Sequence, residues 1–123
     1  MVETESRIEI ELPVEKEFAR LLRLMVSGIA SRMNFNLDAV DDLKIAVEEA
    51  FLIAMRRQVT GQVKVSFELM SDRLRIAFAG VGQGSGDEKQ PEDFGNFILD
   101  AVVDEIEIGP AEENFGLTMT KYL

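Results

Sequence analysis

With 123 residues, a formal charge of −10, 46% hydrophobic and 29% charged residues, the chain has the make-up of one well-ordered globular domain covering residues 1–123. It holds no cysteine and no histidine, which excludes disulfides, thiolate nucleophiles, imidazole bases and most zinc sites, and leaves carboxylates, lysine and hydroxyls for any chemistry. The acidic balance argues against direct binding of a nucleic-acid backbone, which needs clustered Lys and Arg, and fits either a basic protein partner or plain solubility.

The N-terminus Met1-Val2-Glu3-Thr4-Glu5 is acidic where a secretory signal is basic and then apolar, and no stretch has the apolar length of a membrane span. A cytoplasmic protein without membrane contact is expected. Ile8, Ile10 and Leu12 alternate with Glu9 and Glu11 and predict a strand closed by Pro13. Phe18, Leu21, Leu22, Met25, Val26 and Ile29 then recur at helical spacing, so a helix with one buried stripe is predicted, ending near Met33 and Asn34. Asn36 and Asp38 are candidate caps of a second helix whose inward face is Val40, Leu43, Val47, Ala50, Phe51 and Ala54, with Arg56 and Arg57 near its end.

After a break at Thr60-Gly61, the runs Val63–Leu69 and Leu74–Phe78 alternate around a turn at Ser71-Asp72 and predict an antiparallel hairpin. The glycine-rich stretch Gly80 to Pro91 reads as a loop. Phe94, Phe97, Ile98, Ala101 and Val102 predict a third helix starting at Glu92, Glu105–Ile108 a strand, and Asn114 to Leu123 a last strand, with Lys121 as an edge or register residue. These elements sum to one mostly antiparallel sheet covered on one face by helices.

The second helix holds the most telling chemistry. A carboxylate one turn before an amide side chain suits a helix that grips a metal-bound nucleotide, but here Glu49 is followed one turn later by Ile53, which has no lone pair to offer a cation. Glu48 and Glu49 also read simply as carboxylates of a solvated helix face.

The order of these elements, with Asp42-Leu43-Lys44-Ile45-Ala46-Val47-Glu48-Glu49-Ala50 on the second helix, Phe18-Ala19-Arg20 and Val26 to Met33 on the first, and Val103-Asp104-Glu105-Ile106 leading to Met119-Thr120-Lys121-Tyr122-Leu123, resembles the bacterial anti-sigma factor serine kinases of the histidine-kinase-like (GHKL) ATPases. The resemblance implies an α/β (α+β) two-layer sandwich, a mostly antiparallel mixed sheet with helices on one face, the Bergerat-type ATPase fold. It implies that Glu49 descends from the general base that phosphorylates a serine on an anti-sigma factor antagonist, and that Ile53 stands where an asparagine ligates magnesium. It further implies that Gly80-Val81-Gly82 replaces an Asp-x-Gly motif, leaving the glycine Gly82 without the adenine-reading aspartate. Gly95 in Phe94-Gly95-Asn96-Phe97 is then the remnant of a glycine motif that opens the third helix to phosphates, and Gly116 stands in for a threonine of the last strand.

A lost charge-assisted hydrogen bond costs roughly 1.5–3 kcal/mol, so losing the metal ligand and the base reader together weakens nucleotide binding on the order of a hundredfold to ten-thousandfold. The expectation is an anti-sigma regulatory factor of a partner-switching system that binds a sigma factor, an antagonist protein, or both. ATP and magnesium are expected to bind weakly or not at all, with Glu49 a relic base and no metal ligand. Arg20 and Arg23, off the apolar stripe, face the sigma factor by this resemblance or form a solvated basic edge. A homodimer through the first strand and helix is the family expectation. The alternatives are an active serine/threonine kinase acting on the antagonist, and a small-ligand sensor with an apolar pocket near Ile53, Phe78 and Phe94.

Overall fold

A computed structural model describes residues 4–57, 61–81, 93–108 and 116–123. Its elements are β1 (Thr4–Pro13), α1 (Phe18–Arg32), α2 (Leu37–Arg56), β2 (Gln62–Met70), β3 (Arg73–Val81), α3 (Asp93–Val102), β4 (Glu105–Ile108) and β5 (Gly116–Tyr122). The five strands form one sheet in the order β1-β2-β3-β5-β4. All four described pairings are antiparallel, so the sheet expected to be mixed has no parallel pair among the described residues.

Period-two alternation builds the sheet's two faces. Leu12, Val63, Val65, Phe67, Leu74, Ile76, Phe78, Leu117 and Met119 are buried, while Glu9, Glu11, Lys64, Glu68, Arg75, Glu105 and Glu107 stand on the opposite, polar face. The helices lie over the apolar face, with α1 and α3 both packed on α2. α2 is therefore the central helix, and Leu43, Ala46, Val47, Ala50, Phe51, Ile53 and Ala54 are essentially sealed from solvent.

Local chemistry sets the helix ends. The Asn36 side chain accepts a 2.8 Å hydrogen bond from the Ala39 amide, so Asn36 is the cap and Asp38 sits in the first turn. Asn34 takes a left-handed φ of 71°, a conformation asparagine tolerates, and turns the chain between α1 and α2. Gly61 takes a positive φ of 82° before β2, a conformation glycine adopts without a Cβ penalty.

Several expectations change. Gly80 and Val81 do not open a loop but end β3, paired with Val63 and Gln62; β2 extends far enough to continue the ladder. Leu21 is 38% exposed rather than buried, because α1 packs along one side only and its stripe narrows to Ala19, Leu22, Val26, Ile29 and Ala30. Lys121 is not on an edge strand, since β4 pairs outside β5. The third helix starts at Asp93 and the last strand at Gly116; residue 92 and residues 114–115 lie outside the described set.

Candidate functional site

Glu48 and Glu49 are neighbours on α2 and so project about 100° apart around the helix. Their surroundings differ accordingly. Glu49 is 9% exposed, and its Oε2 accepts a 2.9 Å hydrogen bond from Nη2 of Arg56, two turns further on. Its reading as a solvated-face carboxylate is therefore corrected: the side chain is buried and ion-paired. Ile53, one turn after Glu49, is fully buried and aliphatic, so the position expected to lack a metal ligand presents no polar atom.

Glu48 points the other way. Its Oε1 accepts a 2.9 Å hydrogen bond from Nη1 of Arg23 on α1, clamping the two helices across their groove. Arg20 is exposed, and among the described residues it has no ion pair. A depression of about 540 Å³ between α1 and α2 is lined by Arg20 and Arg23 together with Lys16, Glu48 and Leu52. It adjoins a second one reaching Leu24, Ser27 and Lys44. Arg20 and Arg23 thus share one surface, but Arg23 already serves a helix-to-helix contact, and the exposed Leu24 and Ile45 give the groove an apolar component. That component was missed because both leucine and isoleucine fall off the main helical stripes, the one signal of an exposed apolar face.

Gly80 lies in the last part of β3, and Gly116 pairs with Ala79 on the neighbouring strand, so these two are brought together. β2 begins at the end of the sheet where β3 ends and β5 starts. Glu49, Ile53 and Arg56 belong to the C-terminal half of α2. Gly95 falls within the first turn of α3. Gly82 lies outside the described residues, as does the rest of the glycine-rich stretch to residue 92. Among the described residues no group of three or more His, Cys, Asp or Glu is placed to hold a metal ion. Ile53 and Phe78, beside which an apolar pocket was expected, are 0% and 1% exposed; the Phe94 side chain is outside the described set.

Arg56 is the residue that sequence reasoning assigned only to the helix dipole. Its spacing of seven from Glu49 was the available signal, because seven residues complete nearly two helical turns.

Among the described residues, a five-stranded antiparallel sheet with three helices on one face, and a central helix carrying a buried glutamate, fits the GHKL-type, histidine-kinase-like fold. The crystal structure of the RsbU and RsbW domains of a Mycobacterium tuberculosis protein superposes with a TM-score of 0.75 at 17% identity, over 94% of this chain and 32% of that one, a likeness of fold. The serine-protein kinase RsbW of Bacillus velezensis is 33% identical, covering 94% of this chain and 85% of its own length. RsbW of Bacillus pumilus is 34% identical over 100% of this chain and 90% of its own length. No protein-family model matches the sequence. The chain belongs to the RsbW serine-protein kinase family.

Proposed function

We propose that this chain is an anti-sigma regulatory factor of a partner-switching system, which binds a sigma factor and an anti-sigma factor antagonist and has impaired use of ATP and magnesium. Family membership supports the partner-switching role. The observation that favours a binder over a kinase is Ile53, fully buried at the position where the resemblance puts a magnesium-binding asparagine. Glu49 supports the same reading, because a carboxylate already bound by Arg56 is a poor general base. The residues present therefore do not suit a magnesium nucleotide, and no phosphoryl-transfer step is assigned to them.

The mechanism is mass action. A sigma factor held on the α1–α2 surface, with Arg20 at its exposed basic end, is withheld from polymerase until the antagonist competes for an overlapping surface. In this reading the protein works in the cytoplasm as a homodimer through β1 and α1, the association that the family resemblance leads one to expect. Among the described residues no helix is long and apolar enough to cross a membrane.

Calorimetric titration with ATP and magnesium, followed by incubation with the antagonist and phosphate analysis, tests the reading. Heats too weak to fit at micromolar protein, with no phosphate transferred, are expected. Micromolar affinity with phosphate on an antagonist serine would establish the kinase instead. Co-purification from the native host, scored for sigma factors and antagonist-type proteins and repeated with Arg20→Ala, tests the partners. Recovery of neither class would defeat the regulatory reading.

A further inference from the structure

Glu49, Ile53 and Arg56 lie on one face of α2: steps of four and seven residues displace a side chain by only about 40° and about 20° around the helix. Along the axis, Arg56 starts about 10 Å beyond Glu49 and Ile53 lies between them. The Arg56 side chain therefore folds back over the level of Ile53 to donate from Nη2 to Glu49 Oε2 at 2.9 Å. This direction is the natural one for a helix, whose side chains lean toward the N-terminus.

We propose that Arg56 is a built-in counter-ion, seated where a divalent cation would otherwise face Glu49, so that the site is closed by two independent features: the aliphatic Ile53 and the guanidinium above it. The inference rests on the functional reading given above and deepens it. A carboxylate as buried as Glu49 needs a positive partner, because its desolvation is otherwise uncompensated. A family member that no longer relies on a metal has to supply that charge from its own chain. Arginine suits the role, being permanently charged, planar and able to satisfy an oxygen while its stem lies along apolar surface. The partner is not screened away, because the carboxylate side chain is only 11% exposed while the guanidinium keeps 38% contact with solvent. The solvent-facing partner of the pair is therefore the guanidinium, with the carboxylate behind it.

The consequence is that restoring a ligand at position 53 is insufficient. Ile53→Asn alone leaves the cation's place filled, and Arg56→Ala alone frees a carboxylate with no second ligand; the combination provides both. The test compares the wild type, Ile53→Asn, Arg56→Ala and the double variant, with Glu49→Gln added to the double variant as a control. The probes are manganese by water-proton relaxation and magnesium by thermal shift. The double variant should bind manganese at least tenfold more tightly than Ile53→Asn, and lose that gain when Glu49→Gln is added. Arg56→Ala should lower the melting temperature in the wild-type background but not in the Glu49→Gln background. Arg56→Gln, which keeps the bulk of the side chain, replaces Arg56→Ala if that variant fails to fold.

Equal manganese affinity for Ile53→Asn and the double variant would overturn the proposal while leaving the functional reading intact. So would an Arg56 effect on stability that is the same with Glu49 as with Glu49→Gln. Micromolar binding of magnesium ATP by the wild type would overturn the functional reading itself, and this inference with it.

Discussion

Lys121 keeps only 14% of its side chain in contact with solvent, although it belongs to a strand that ends at the surface. Its ammonium donates a 3.0 Å hydrogen bond to the Val102 carbonyl at the end of α3 and lies 3.7 Å from Asp42 on α2. A cation at a helix C-terminus satisfies a carbonyl the helix cannot and meets the negative end of its dipole. The contact with Asp42 is longer and more exposed, so it adds little. One lysine thus ties β5 to both α3 and α2. Lys121→Met keeps the aliphatic stem and removes the donor; it should lower the unfolding free energy by about 1.5–3 kcal/mol, the worth of a hydrogen bond to a charged group. Urea unfolding checks this as a lower midpoint with an unchanged slope. An unchanged midpoint would mean water replaces the ammonium without loss. The role of Lys121 was not legible in the sequence, and that of Arg56 showed only as its spacing of seven from Glu49. Both depend on which carbonyl or carboxylate the tertiary fold brings within reach, whereas the aliphatic nature of Ile53 is visible in the residue itself.

At the scale of elements, the sequence speaks clearly wherever burial is one-sided. Val63, Val65, Phe67 and Leu69 alternate with polar neighbours because one face of β2 meets the helices, and the same periodicity gave all five strands and three helices in order. Strand order and exact ends were not legible, because they depend on long-range pairing: Gly80 joins β3 only because Val63 is there to pair with it. The end of the sheet where β3 begins and β5 closes carries a charged cluster whose parts are likewise distant in sequence. Arg73 donates to Asp72 at 2.9 Å and stacks 4.9 Å from the centre of the Tyr122 ring, and the Tyr122 hydroxyl donates to Glu105 at 2.9 Å. The hydrogen bond from Arg73 holds the Asp72 carboxyl below its usual range. The hydrogen bond to Glu105, helped by partial burial, pushes the Tyr122 phenol above its usual value.

These opposite shifts act on opposite limbs of the stability profile. Asp72 releases its proton more readily when folded, so its contribution is complete above the unfolded carboxylate value of about 4 and is lost as pH falls through the lower folded value. Tyr122 holds its proton more tightly when folded, so its contribution is complete below about 10 and is lost as pH rises through the higher folded value. Tyr122→Phe should therefore flatten the alkaline limb and leave the acid limb unchanged, and Arg73→Gln should flatten part of the acid limb. The flattening on the acid side is partial because Glu9 is shifted down as well, chiefly by its hydrogen bond from Arg7. Urea unfolding at several pH values on each side reads both slopes. Identical alkaline limbs for the wild type and Tyr122→Phe would show that the phenol's bond to Glu105 does not survive in solution.

The whole molecule carries a charge of −10 yet, in the proposed reading, has to meet both another copy of itself and a different protein. Two like-charged copies repel, and salt weakens that repulsion over a Debye length of about 10 Å at 0.1 M. The partner surface works in the other direction. Between α1 and α2, Arg23 is neutralised by Glu48 at 2.9 Å and Lys44 by Asp41 at 3.7 Å, while Arg20 remains exposed beside the apolar Leu24. A partner that docks there through an acidic group gains attraction that salt erodes. Raising salt from about 50 mM to about 500 mM should thus strengthen self-association and weaken partner binding, in line with the screening lengths at those strengths. Sedimentation velocity reads the first and titration of the purified sigma factor the second. Arg20→Gln should flatten the salt dependence of partner binding and leave that of self-association nearly unchanged. Dissociation of the homodimer by added salt would instead mean that complementary charges hold the two copies together. In that case acidic groups of one copy face basic groups of the other, and exposed basic residues such as Arg20 belong to the contact between copies rather than to the partner.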